Sequence, residues 1–225
     1  MFRHTQKMAV VTGFLVLTAT NAMAQNSVHI EQIGNTNNVS ITQVGNTNRV
    51  GTSASPSTIT GNNNSLTTIQ TGDANIIDYE VIGNGNIVSK TVTGDTNQIT
   101  FNCGNNTTAC TNVNSTMTIA GNLNTVTSTI RGSAITNVLS ITGNSNTMTQ
   151  TITADNSSSN ITILGDSNTF TSTMSGVTAG GGHILVAAVT GTSNTHTVTQ
   201  HGTVDTTVNI TTTGNSNTVV VNTGR

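Results

Sequence analysis

His196, His201 and Asp205 lie close together and are the residue types that a hydrolase uses as general base and orienting carboxylate. No nucleophile sits at a defined elbow beside them. Asp78 and Glu80 are two residues apart, a spacing that puts both on one face of a strand rather than on opposite walls of a cleft. Gly72-Asp73, Gly94-Asp95 and Gly165-Asp166 resemble the corners of calcium-binding β-rolls, but those rolls need a nine-residue period and a second glycine. Cys103 and Cys110 are the only cysteines. In an exported chain the pair suggests a disulfide across residues 104–109; two free thiols or a metal pair is the alternative, with no nearby His to complete it. No catalytic, cofactor-binding or metal-ligating set emerges, and the expectation is a protein that is not an enzyme.

Composition points the same way. The 225 residues are 33% hydrophobic, 2% aromatic and 6% charged, with a formal net charge of −2. Globular chains carry roughly 25% charged residues. Thr (49) and Asn (32) supply 81 of the 225 positions, so large apolar side chains are too few for a thick core. Six basic residues cannot neutralise a phosphate backbone, which argues against nucleic acid as a partner.

Residues 1–24 read as an export leader. Arg3 and Lys7 precede an apolar run over residues 8–20, and Ala22-Met23-Ala24 is an A-x-A cleavage site. The run is shorter than the ~20 residues a membrane span needs. Cleavage after Ala24 leaves a secreted chain, residues 25–225, that is not integral to a membrane and is located outside the cell or at its surface.

What must position any functional residue is a repeat. A Gly-[Asn/Asp]-x-Asn corner recurs with Asn37, Asn48, Asn64, Asn75, Asn86, Asn97, Asn124, Asn146, Asn168, Asn194 and Asn217 at its fourth position, Thr192 standing at the second position before Asn194. The glycines step by 11, from 34 to 45, from 61 through 94, and onward from 121. Longer gaps read as loops inserted at corners, near residues 50–57, 104–114 and 176–183. Counting each Gly as zero, positions +5, +7 and +9 are mostly apolar or amide, as in Ile77/Tyr79/Val81, and +6 and +8 are mostly Ser, Thr or Asn. This is the period of a strand with one buried face. Gly and Asn are expected to supply positive φ and hydrogen bonding at the corner. Two units make a 22-residue coil, and stacking brings like corners ~4.8 Å apart. The expected fold is all-β: a β-solenoid of about eight two-strand coils, with each corner Asn bonded to the next in a ladder.

The stretch Gln32-Ile33-Gly34-Asn35-Thr36-Asn37-Asn38-Val39-Ser40-Ile41-Thr42-Gln43-Val44-Gly45-Asn46-Thr47-Asn48 follows Gln-x-Gly-x-x-Asn-x-apolar-x-apolar-x-Gln. It resembles the curlin repeat of bacterial curli fibre subunits. The resemblance implies a solenoid that stacks end to end into an extracellular amyloid fibre of a biofilm. It also implies that Gln32, Asn37, Gln43 and Asn48 are inward ladder residues, and that the partners are further copies, a secretion channel and a nucleator or anchor protein. Later in the chain only Gln70 and Gln200 keep the +9 glutamine.

Two features stand outside this frame. Thr127/Thr129, Thr149/Thr151, Thr171/Thr173 and Thr197/Thr199 recur on alternate units and so on one sheet, an array similar to the ice-binding face of some antifreeze solenoids. A monomeric adhesin-type or ice-binding solenoid is therefore the alternative role. Lys90 and His196 fall on inward positions. A lysine there is expected to snorkel at a sheet edge or to mark a local bulge.

Overall fold

The computed structural model describes residues 12–20, 25–176 and 182–224, with side chains described from residue 25 onward. The expected cleavage site at Ala24, and most of the insertion near 176–183, lie outside the described residues.

Alternation of small polar and apolar residues turns nearly the whole chain into strands. The first are β1 (Thr12–Thr20), β2 (Ser27–Val28), β3 (Ile30–Ile33), β4 (Asn35–Val44), β5 (Arg49–Val50), β6 (Ser57–Thr60) and β7 (Ser65–Thr71). Then come β8 (Ile76–Asn84), β9 (Ile87–Thr93), β10 (Gln98–Cys103), β11 (Cys110–Thr111), β12 (Asn114–Ala120), β13 (Thr125–Ile130) and β14 (Thr136–Thr142). The series closes with β15 (Thr147–Ile152), β16 (Ser158–Leu164), β17 (Thr169–Ser175), β18 (Ile184–Ala188), β19 (Thr195–His201), β20 (Thr207–Thr211) and β21 (Thr218–Thr223). Among the described residues there is no helix.

Every pairing is parallel, and each strand lies against the strand one coil away in sequence. One sheet, here sheet A, runs β1-β4-β7-β9-β12-β14-β16-β18-β20; the other, sheet B, runs β2-β5-β8-β10-β13-β15-β17-β19-β21, with β3 and β6 extending its first rungs. The chain is thus a β-solenoid of about eight turns. Each long strand sends about three side chains inward. In β8 these are Ile77, Tyr79 and Val81; in β9, Val88, Lys90 and Val92. The described core extends from Val39 to Ile210, with Val28, Ile30, Val219 and Val221 packed at its two ends.

Corner chemistry differs from the expectation in one respect. The positive φ falls on the Gly and on the residue two places later, not on the Asn at +3. Thr96 (φ 58), Leu123 (φ 58) and Ser145 (φ 57) are left-handed, as are Gly94 (φ 114) and Gly121 (φ 125). Glycine at position zero is also required by close approach: a Cβ on Gly94 would run into the carbonyl oxygen of Gly121 in the next coil.

The insertion near 50–57 interrupts a strand rather than a corner. Arg49–Val50 and Ser57–Thr60 both lie on β8, and residues 51–56 loop out between them. Residues 104–109 leave at the end of β10 and return at Cys110, which is disulfide-bonded to Cys103 with Cα atoms 5.5 Å apart.

Candidate functional site

The corners that lead from sheet A into sheet B carry an unbroken file of carboxamides. Asn48, Asn75, Asn97, Asn124, Asn146, Asn168, Asn194 and Asn217 belong to it, and Asn26 begins it. From Asn48 to Asn194 each Oδ1 accepts two N–H groups from the following coil: Asn75 Oδ1 receives the backbone and side-chain N–H of Asn97, both at 3.0 Å. From Asn26 to Asn194 each Nδ2 also donates forward, that of Asn97 to Gly121 O at 2.8 Å. Most members are fully buried and have their hydrogen bonds satisfied. Asn26 was not legible in the sequence because its corner lacks the leading glycine.

The residue two places earlier makes a second file of opposite sense. The backbone N–H of Asn46 donates to Asp73 Oδ1 (2.6 Å), that of Asp73 to Asp95 (2.7 Å), that of Asp95 to Asn122 (2.7 Å), and that of Asn144 to Asp166 (2.6 Å). Here the side chain need only accept, so Asp and Asn serve equally. At the inner position the side chain must donate as well, so Asn alone fits. The aspartates that resembled calcium ligands are these acceptors.

The opposite corners hold a shorter ladder. Asn37, Asn64 and Asn86 are joined in the same way, and Asn86 Oδ1 accepts the backbone N–H of Val113, where the file ends. Of the glutamines, Gln43 donates to Gln70 Oε1 at 2.8 Å. Gln32 lies opposite Ile59 and joins neither ladder.

Lys90 corrects the expectation of snorkelling or a bulge. It stays in register between Thr68 and Met117 and is 1% exposed. Its Nζ sits 3.6 Å from the centroid of the Phe101 ring and 3.4 Å from Ser115 Oγ. Burial lowers its pKa to about 7. His196 is likewise buried, stacked on Phe170 at 5.7 Å with Nε2 2.8 Å from Thr212 Oγ1, and desolvation lowers its pKa. His201 is exposed and bonded to Ser175 Oγ at 3.0 Å, so the structure does not bring the two histidines together. His183, which carried no sequence signal, is buried between Ser175 O and Thr206 Oγ1.

On the outer face of sheet B the threonines align in register. Thr127, Thr149, Thr171 and Thr197 form one file, and Thr129, Thr151, Thr173 and Thr199 a second. A third, which the repeat left unread, runs Thr125-Thr147-Thr169-Thr195-Thr218. Toward the N-terminal coils Asp78 and Glu80 replace them, opposite Thr100 and Asn102, and Asp78 pairs with Arg49 at 3.4 Å.

Among the described residues no group of three or more His, Cys, Asp or Glu is arranged to hold a metal ion. Comparison with family models, with curated proteins and with solved structures gives no match.

Proposed function

We propose that the chain is a structural subunit of an extracellular, amyloid-type fibre or adhesive matrix, exported through its N-terminal leader and assembled by end-to-end stacking. One observation carries the reading: the sheets and the long asparagine file share one axis and repeat the same bonds in coil after coil. A second copy placed on that axis continues sheet B and the asparagine file together. Among the described residues strand β21 has one parallel neighbour, β19, and its other edge offers N–H and C=O groups to a further strand. Low charge, 6% of residues, keeps repulsion between stacked copies small. The mechanism is templated strand addition. The curlin resemblance of residues 32–48 supports the same role and implies a dedicated secretion channel and a nucleator or anchor as partners.

The test is seeded assembly, at micromolar concentration, of the full chain and of the chain beginning at Gln25, followed by thioflavin fluorescence and electron microscopy. Unbranched fibres that elongate from seeds support the reading; persistent monomer of both chains in the presence of seeds overturns it.

The in-register threonine files favour a second reading, a solenoid that binds ordered water or ice through sheet B. Inhibition of ice recrystallisation by monomer supports it, and an inactive sample removes it.

A further inference from the structure

The two sheets do not hold equal numbers of strands once β1 is set aside. From β2 to β21 the coil starts and finishes in sheet B, which has one more rung than sheet A. Consider two copies stacked so that the β2–β3 rung of one follows β21 of the other. Sheet B is then continuous, and Asn26 of the second copy falls one rung beyond Asn217 of the first. In sheet A, β20 and the next β4 are two rungs apart, ~9.6 Å instead of the ~4.8 Å of a bonded pair. A slot one strand wide remains. Closing it by pairing β20 with β4 directly would put β21 and the β2–β3 rung in the same place.

Strand β1 occupies that rung. Residues 14–20 pair in parallel with residues 38–44 without a shift in register, on the edge of β4 opposite β7. The offset from Leu15 to Val39 is close to one coil, so β1 follows the course of the solenoid rather than crossing it. Its sequence, Thr-Gly-Phe-Leu-Val-Leu-Thr-Ala-Thr, is rich in residue types that favour strands.

We infer that the outer edge of β4 is a strand-accepting site and that residues 12–20 are its occupant, serving as the rung that joins successive copies in sheet A. The inference rests on the fibre reading for its biological use, and the strand-accepting edge stands independently of it. The order across a junction is β20 of one copy, then β1 and β4 of the next. The residues that read as the apolar part of an export leader are also the first rung of the solenoid. A chain cut after Ala24 exposes the edge of β4 and must take up a strand of this kind before it can stack without a gap.

Three samples test this: the full chain, the chain beginning at Gln25, and that shorter chain with a synthetic peptide of residues 12–20. The shorter chain keeps the whole described core, which begins at Val39, and Val28 and Ile30 packed against it. Hydrogen exchange on monomers reads binding separately from assembly. The expected result is that the peptide, but not a scrambled one, protects the amides of residues 38–44 at least tenfold. It also speeds seeded elongation of the shorter chain at least tenfold and enters fibres at one peptide per subunit. Unprotected β4 amides overturn the inference. So does a shorter chain that elongates as fast as the full chain without taking up peptide. Protection of β4 with no fibre from any sample keeps the strand-accepting edge and overturns the fibre reading instead.

Discussion

Asp95 and Asn97 share one corner, where the Asp95 side chain only accepts, from the preceding coil, and the Asn97 amide donates to the coils on both sides. Asp95 Oδ1 accepts the backbone N–H of Asp73, while the side chain of Asn97 donates to Asn75 Oδ1 and to Gly121 O. The two positions of the repeat therefore tolerate different chemistry. Asn97→Asp removes both donations and sets an anion among carbonyl oxygens in a buried corner. It is expected to cost about 3–5 kcal/mol. Asp95→Asn keeps its acceptor and is expected to stay within about 0.5 kcal/mol of the parent. Urea unfolding midpoints of the two variants measure the difference.

Lys90 over Phe101 makes stability depend on alkaline pH. Its pKa is about 7 in the fold, below the 10.5 of an ordinary lysine, so the unfolded chain binds more protons between those values. Stability is therefore lowest below about pH 7 and rises as pH increases toward 10.5, by roughly 3–5 kcal/mol. Lys90→Met is expected to stabilise the protein at pH 7 and to flatten this profile. Denaturant melts across pH 6–10 test both statements.

Asn137 is fully buried, and neither atom of its carboxamide has a hydrogen-bond partner within the protein. It lies in register between Ser115 and Ser159. Asn137→Leu exchanges unpaired polar atoms for apolar contact and is expected to raise stability by about 1–2 kcal/mol, read as an increase in Tm.

Leu123 is 58% exposed at φ 58, a backbone region that a branched side chain enters at a cost. Leu123→Asn is expected to gain about 0.5–1 kcal/mol by the same thermal melt, because Asn tolerates this conformation and the lost apolar side chain packs little.

The Cys103–Cys110 bond closes a short loop at the end of β10. Reduction, or replacement of both cysteines by alanine, is expected to lower stability by about 2–3 kcal/mol. Alkylation of the unfolded chain should add no mass without reductant and two labels with it.

The fold could be read from sequence because two signals repeat in phase. Alternation at +5, +7 and +9 fixes which side chains go inward, and a glycine every 11 residues fixes where the strand ends. What escaped has physical reasons. The loop at residues 51–56 leaves a strand and returns to it in register, and spacing alone cannot distinguish that from a longer corner. Asn26 joins the long ladder by bonding geometry, without the glycine that marks the others. Of the thirteen ladder residues expected from the motif, eleven asparagines divide into two corner files, Gln43 bonds to Gln70 and Gln32 stands apart, because the motif does not record which corner a residue occupies. Lys90 violated the inward rule in sequence, yet the rule held: the aromatic ring of Phe101 and the Ser115 hydroxyl make the position habitable for a lysine that loses its charge readily.

Electron cryomicroscopy of fibres grown from seeds tests end-to-end stacking most directly. The expected density has rungs ~4.8 Å apart along the fibre axis, with Asn217 of one copy in hydrogen-bond contact with Asn26 of the next, so that the long carboxamide file crosses the junction. Fibres whose solenoids pack side by side, or whose asparagine files stop at each subunit boundary, would contradict it.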